Sequence, residues 1–429
     1  MKVLVVGGDA RAAALARSLA RSRRVTDVLT TVPFRNGAVP AGADPNGVVP
    51  LSVQAPLALL DWARREEIGL TVVSSCTSYA AEVGEIFRSA GLPVLAPSRR
   101  CVGLAASRAW KKVLLARGGV PTPPFFVCNR PDDAVAMVRA MPTPVVLRAD
   151  GFSNGSGMVV ASTVREAEEV LRRQMSTGDG GREVVLEAWL EGREFSVLAF
   201  FDEHRIVVAP TVGDYRRLEE GGHGPFTTGM GACVPAVDCS EGDRATILSR
   251  IVRPTVQVFR TAGMITRGVL NFRVVVTADG PWLQDVDVGP GEGSTQLLAA
   301  GLVGDLHALL WATVNGRLRQ VRPNWGREAL CAVVVCGPMQ PEAFAPEASF
   351  PELPPDVMLY WGDIGPGCGG MLVGGARLLT LVGRGVDLAS ARARVYGVLG
   401  RAEFAGLRYR RDVGAPLPVP AKPRPSRRR

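Results

Sequence analysis

Short apolar runs alternate with amphipathic stretches over the first hundred positions. Lys-Val-Leu-Val-Val at positions 2–6 predicts a buried parallel strand. Gly7-Gly8-Asp9 then turns the chain into a helix from Ala10 to about Arg23, with an apolar face through Ala14, Leu15, Leu19 and Ala20. Residues 25–31, 69–74 and 93–96 read as further strands, and 57–67 and 78–90 as helices. This alternation predicts an α/β protein whose N-terminal domain, residues 1–103, is a doubly wound parallel sheet.

Beyond it, residues 104–118 read as one helix, ended by Gly118-Gly119 ahead of Pro121. A second domain is expected over 104–328, with a mixed α/β subdomain at 122–195. Its strands fall at 184–187, 194–201, 205–212, 268–276 and 282–288, with a long helix at 243–262. Residues 329–414 read as a small C-terminal α+β domain, with strands near 332–336 and 377–382 and a helix at 388–399. There is no internal repeat. The Pro/Arg-rich segment 415–429 has too little apolar surface to pack and is expected to be disordered.

Two stretches carry the chemistry. Arg148-Ala149-Asp150-Gly151-Phe152-Ser153-Asn154-Gly155-Ser156-Gly157 reads as a strand feeding a glycine-rich loop, with a cation at its base and amides free to face phosphate oxygens. Leu283-Gln284-Asp285-Val286-Asp287 places two carboxylates at alternate strand positions, hence on one face. A phosphate cradle with a same-face carboxylate pair is what a magnesium–nucleotide complex needs. A pair of solvated strand aspartates and an ordinary turn are the plain alternatives.

At 429 residues the chain exceeds one ordinary core, and two to four domains are expected. The eight cysteines show no CxxC spacing and read as reduced, buried residues. His204, His223 and His307 do not sit at ligand spacing, so no zinc site is expected. The net charge is +9, yet lysine occurs only at 2, 111, 112 and 422, so the excess is almost wholly arginine. That uniformity reads as a compositional habit, and nucleic acid is not an expected partner. With no leader-like start and no apolar run of roughly 18–20 residues, a cytoplasmic protein without membrane spans is expected.

Taken in order, the motifs resemble phosphoribosylamine–glycine ligase, a purine-pathway family of the ATP-grasp superfamily. The resemblance spans about residues 1–415. Leu115-Ala116-Arg117 ahead of Pro121-Thr122 is similar to the family's Leu-Ala-Arg before Pro-Thr, and Arg148–Gly151 to its Lys-Ala-Asp-Gly. Gly224-Pro225-Phe226-Thr227-Thr228-Gly229-Met230-Gly231 resembles Gly-Pro-Asn-Thr-Gly-Gly-Met-Gly, and Arg410-Arg411-Asp412-Val413-Gly414 its closing Arg-x-Asp-Ile-Gly. The resemblance implies that residues 104–328 form an ATP-grasp domain, with ATP and Mg²⁺ (or Mn²⁺) as cofactors. It implies an amino acid and an amine as small-molecule substrates, handled by a monomer or weak homo-oligomer.

Carried over position by position, Arg108 and Arg148 stand where the family has lysines on the nucleotide phosphates. Gly155, Ser156 and Gly157 stand where it has Gly-Lys-Gly. Glu187, Ala188 and Leu190 match the adenine hinge, and Glu194 the carboxylate on the ribose. Asp285 and Asp287 match its metal-binding Glu-Phe-Asn. Asp214, Thr228, Gly229 and Met230 match the glycine region, where Arg216 and Arg217 are the candidate catalytic cations; both arginines read equally well as surface residues. The phosphoribosylamine motifs are largely replaced: Gly8-Asp9-Ala10-Arg11, Pro33-Phe34-Arg35-Asn36, Ser74-Ser75-Cys76 and Gly289–Ser294 depart from the family, leaving Arg11 and Arg35 as candidate substrate cations. Three readings stay open: a working ligase of this type in purine biosynthesis, an ATP-grasp ligase with a different amine, or a non-catalytic descendant.

Overall fold

The computed structural model describes residues 1–31, 47–48, 55–74, 78–151, 158–175, 183–337, 353–362, 364–367, 370–373, 377–402 and 408–416. The N-terminal part holds β1 (Lys2–Val6), α1 (Ala10–Ala20), β2 (Asp27–Thr30), β3 (Gly47–Val48), α2 (Pro56–Arg65), β4 (Ile68–Val73), α3 (Ser78–Ser89) and β5 (Val94–Leu95). The strands pair in parallel in the order β3-β2-β1-β4-β5. That order reverses between β1 and β4, and a doubly wound sheet opens its crevice at such a point. Here the crevice lies beyond Val6 and Val73. Asp9 starts α1 by accepting the Ala12 amide at 2.9 Å.

Two helices follow, α4 (Arg99–Ala106) and α5 (Arg108–Arg117), where one was expected. Ser107 breaks the run: its backbone is extended and its hydroxyl caps α5 by accepting the Trp110 amide. A four-stranded antiparallel sheet comes next, from β6 (Phe125–Cys128), β7 (Val145–Ala149), β8 (Met158–Ala161) and β9 (Val184–Ala188), in the order β6-β9-β7-β8. Helices α6 (Pro131–Ala140) and α7 (Val164–Met175) cover one face, meeting Val145, Leu147, Val184 and Leu186. The other face carries Arg148 and Glu187, as the two-residue period of a strand requires.

The remaining strands are β10 (Arg193–Phe201), β11 (Ile206–Val208), β12 (Val212–Glu219), β13 (His223–Val234), β14 (Gly268–Thr277), β15 (Gly280–Val288), β16 (Ala329–Cys336), β17 (Val357–Trp361), β18 (Ile364–Gly367), β19 (Gly370–Val373) and β20 (Arg377–Gly385). All but β18 and β19 join one sheet, ordered β15-β14-β10-β12-β13-β16-β20-β17 with β11 on β10. The strands of the 329–414 segment are therefore hydrogen-bonded onto those of the second domain through β13 and β16. The β12–β13 hairpin was not legible as strands, because its glycines and charges hide the alternation.

Between β13 and β14 lie α8 (Glu241–Ile247) and α9 (Arg253–Thr261), joined by a π-turn at Leu248–Val252. The expected single helix is interrupted because Pro254 has no amide to donate, and the wider turn absorbs the missing bond. Helices α10 (Ser294–Gly301), α11 (Leu306–Val314) and α12 (Leu388–Leu399) complete the set used here.

Alternation along β10 divides its two faces. Phe195, Val197, Ala199 and Phe201 pack with Leu270, Phe272 and Val274 of β14 against Ile251, Val256 and Phe259. On the opposite face Leu198 and Phe200 pack against the N-terminal sheet and α11, while Glu194 and Ser196 continue that face beyond the apolar contact. Among the described residues no helix is long and apolar enough to cross a membrane.

Candidate nucleotide and substrate site

The polar half of that face is roofed by the four-stranded sheet and flanked by α5. β15 carries a bulge at Gln284: Arg273 pairs with Asp285, but Val274 pairs with Leu283. The extra residue changes the parity of the strand. Leu283, Val286 and Val288 enter the core, and Asp285 and Asp287 share the opposite face, as the sequence predicts.

Five buried ionic groups link up there. Lys112 Nζ lies 3.0 Å from Glu187 Oε2, Arg148 Nε 2.9 Å from Glu187 Oε1, and Arg148 Nη1 3.7 Å from Asp285 Oδ2. Lys111 closes on Asp285 Oδ1 and donates to the Val286 carbonyl at 3.2 Å. All five side chains are below 10% exposed. Three cations face two carboxylates, so one positive charge is in excess. Burial alone would push Asp285 up, but Lys111, Arg148, Arg273 and Arg108 outweigh it and hold the carboxyl well below the usual range. Burial lowers Lys112 against the pull of Glu187.

The roof is fastened to α5 through Asp150. Its carboxylate accepts the Ser107 hydroxyl at 3.0 Å and the Arg108 and Ala109 amides. The expected phosphate-loop acid is thus a helix cap, and it sets Arg108 and Arg148 side by side.

Across the face, Arg216 is buried, bound to Gln284 Oε1, with its guanidinium 5.2 Å from the Phe226 ring centre. Burial and the repulsion of Arg273 push it down to about 10, so it stays charged at neutral pH. Asp214 accepts the Ser196 hydroxyl; burial raises it to about 6, against that bond and the charges of Arg216 and Arg273. Arg273 in turn pairs with Asp287. Glu194, Asp214, Arg216 and Arg217 line one cavity of about 70 Å³ with Arg193 and Arg410.

Arg217 is committed differently from Arg216. It lies 3.6 Å over the Phe226 ring and donates to the Gly224 carbonyl at 2.9 Å, bracing the hairpin. Gly229 gives its carbonyl to Arg377 at 2.6 Å, Thr228 is exposed, and the buried Met230 turns its sulfur to Cys336. In the hinge, the Ala188 amide is spent on the Pro124 carbonyl at 2.8 Å, which leaves Trp189 and Leu190 beyond it for a purine. Arg11 pairs with Asp9, lies 3.5 Å from Glu292 and donates to the Pro290 carbonyl; Asp9 and Glu292 outweigh its burial and raise it further. Gly155, Ser156, Gly157 and Arg35 lie outside the described residues.

The arrangement suits a polyanion with many acceptors. Arg216 Nε and Trp189 Nε1 are buried donors without a hydrogen-bond partner, and Lys112 Nζ meets Glu187 out of hydrogen-bond alignment. For a divalent ion the face offers two carboxylates. Among the described residues no three His, Cys, Asp or Glu side chains gather to hold a metal on their own. Magnesium at nucleotide sites is held in that sparse way, by one or two carboxylates plus phosphate oxygens.

The comparisons with known proteins agree with this geometry. The family described as phosphoribosylglycinamide synthetase, N domain, matches residues 1–104, and its ATP-grasp (A) domain matches residues 106–293. A phosphoribosylamine–glycine ligase of Xylella fastidiosa is 32% identical over 422 residues, 96% of this chain and 96% of its own length. The chain belongs to the phosphoribosylamine–glycine ligase family. The Ralstonia nicotianae relative is 31% identical, covering 96% of this chain and 99% of itself. Among solved structures, phosphoribosylamine–glycine ligase of Thermotoga maritima aligns with a TM-score of 0.77 at 20% identity, over 96% of this chain and 100% of that one. The biotin carboxylase domain of Hydrogenobacter thermophilus 2-oxoglutarate carboxylase, solved with MgADP and bicarbonate, aligns at 0.68 and 12%, over 95% and 91%. The fold is that of an ATP-grasp protein with its N-terminal parallel-sheet and C-terminal domains.

Within this family architecture, several site residues escaped the sequence reading. Lys111 and Lys112 had a signal: they are adjacent in a chain with only four lysines. Gln284, Arg273 and Ser196 had none, since a bulge and cross-strand neighbours set their places. Glu292, held by Arg11 and by Arg377 at 3.9 Å, needed the three-dimensional meeting of β1, β15 and β20.

Proposed function

We propose that the chain joins glycine to 5-phosphoribosylamine at the expense of ATP, by way of a glycyl phosphate. A glycine carboxylate oxygen attacks the γ-phosphorus and the bond to ADP breaks. The amine nitrogen then attacks the acyl carbon, phosphate departs and the nitrogen gives up a proton. The observation that carries this reading is the buried five-group cluster, with its surplus cation, between roof and sheet in a chain of this family. A relic has no reason to keep an unbalanced charge buried, because it costs folding free energy.

In this reading Arg108, Arg148 and Lys112 receive the phosphates, Ala188–Leu190 the purine and Glu194 the ribose. Arg216, charged and aimed into the cavity beside Asp214, orients the glycine carboxylate. Mg²⁺ would be held on the Asp285–Asp287 face with the phosphate oxygens, where it spreads the charge of the transferring phosphoryl group. ADP release that requires both glycine and phosphoribosylamine supports the reading. Calorimetry showing no adenine nucleotide uptake would overturn it.

One observation favours a second reading, the same acyl-phosphate chemistry with another amine. Arg11, the arginine at the crevice of the parallel sheet, is already engaged by Asp9 and Glu292. ADP release with glycine and an amine lacking the phosphate would select it.

A further inference from the structure

Asp285 and Asp287 share a face but not an environment. Each Asp285 oxygen already has a cation: Lys111 on Oδ1, with the Val286 amide at 2.9 Å, and Arg148 at 3.7 Å from Oδ2. Its side chain is 8% exposed, that of Asp287 38%, and Asp287 meets the single partly exposed guanidinium of Arg273. Magnesium needs a near-octahedral oxygen shell at about 2.0–2.1 Å and keeps several waters. A divalent ion on Asp285 would have to displace a buried ammonium and stand among fixed positive charges with little water to screen them.

The residue type is informative. The chain meets almost every need for positive charge with arginine, yet places lysine at 111. An ammonium is a compact point charge on a flexible stem, which is what can take a metal ion's place against a carboxylate; a guanidinium is a wide planar fork.

We propose that Lys111 is a resident counter-ion that occupies the metal-binding edge of Asp285, so that nucleotide binds with one divalent ion, held by Asp287 and the phosphates. This rests on the nucleotide reading given above. Lys111 is on this account a positioning residue that sets metal stoichiometry.

The test is Mn²⁺ titration of the full chain saturated with β,γ-methylene-ATP, read by the loss of free-Mn²⁺ electron paramagnetic resonance signal. Wild type should bind one Mn²⁺ per nucleotide, and Lys111→Met should gain a second. Asp287→Asn should weaken the wild-type ion at least tenfold. Should Lys111→Met not fold, Lys111→Met/Asp285→Asn removes both charges and should keep one Mn²⁺ at wild-type affinity within about twofold. Two Mn²⁺ in the wild type, no second ion in a folded Lys111→Met, or a tenfold weaker ion in the double variant would each overturn the inference. Failure of the analogue to bind, seen independently by calorimetry, would overturn the nucleotide reading and the inference with it.

Discussion

The Ser107 hydroxyl donates to the Asp150 carboxylate at 3.0 Å across 43 positions of sequence, and this bond joins the roof of the site to the helix that carries its lysines. The same carboxylate takes the first amides of α5, which have no partner within the helix. Asp150→Ala should cost about 2–3 kcal/mol of unfolding free energy, and Ser107→Ala about 1 kcal/mol, the scale of a charged and an ordinary cap. Urea unfolding measures both. Nucleotide affinity should fall more in Asp150→Ala, because Arg108 and Arg148 lose their common anchor; equal affinities would show that the cap does not set the site.

Arg148 bridges the two carboxylates of the buried cluster. Removing it leaves Glu187 and Asp285 each with a single lysine and a share of uncompensated burial. Arg148→Ala should therefore cost about 3–5 kcal/mol of stability, the range for breaking a buried ion pair from one side. It should also weaken ATP by roughly 1.5–3 kcal/mol. Denaturation with and without nucleotide separates the effects: a variant of wild-type stability with weak binding would place Arg148 on the ligand and outside the folding network.

Asp214 titrates in reach of experiment. Its carboxyl is raised to about 6 in the folded chain, against about 3.9 unfolded. Between those values the folded state holds the extra proton, so stability from this group is greatest at the acid end and is lost as pH rises towards 6. The loss should reach at most about 3 kcal/mol, since the group is only partly buried. Asp214→Asn should flatten the stability–pH curve between about pH 4 and 6. An unchanged slope would assign the slope to other groups.

The parallel sheet was legible because both of its faces are covered, which makes its strands near-continuous apolar runs and leaves period and turns to mark the boundaries. The shared face of Asp285 and Asp287 was legible for the same reason, a period of two. What lies between distant strands was not. The bulge at Gln284 depends on how β14 and β15 register, and a single sequence does not encode that register locally. Arg217 and Arg216 are neighbours with equal claims in sequence. Only the stacking of Arg217 on Phe226 and the burial of Arg216 beside Gln284 divide them into a brace and a ligand-facing cation.

Glu292 is the residue through which the amine can be tested. It stands between Arg11 and Arg377, 3.5 and 3.9 Å from them, and is tied to Gln296, so the turn after β1, the start of α10 and β20 meet on one carboxylate. While it is charged, both arginines are partly neutralised towards any arriving anion. Glu292→Gln keeps the shape and removes the charge. If the amine brings a phosphate to this crevice, its KM should fall by about fivefold, roughly 1 kcal/mol of relieved repulsion between charges several ångströms apart. The KM for glycine, bound at Arg216 on the far side of Asp287, should stay within about twofold. An amine without phosphate gains nothing from the change, so an unaltered KM for the amine, in a variant that still releases ADP with both substrates, would place its recognition elsewhere than at Arg11.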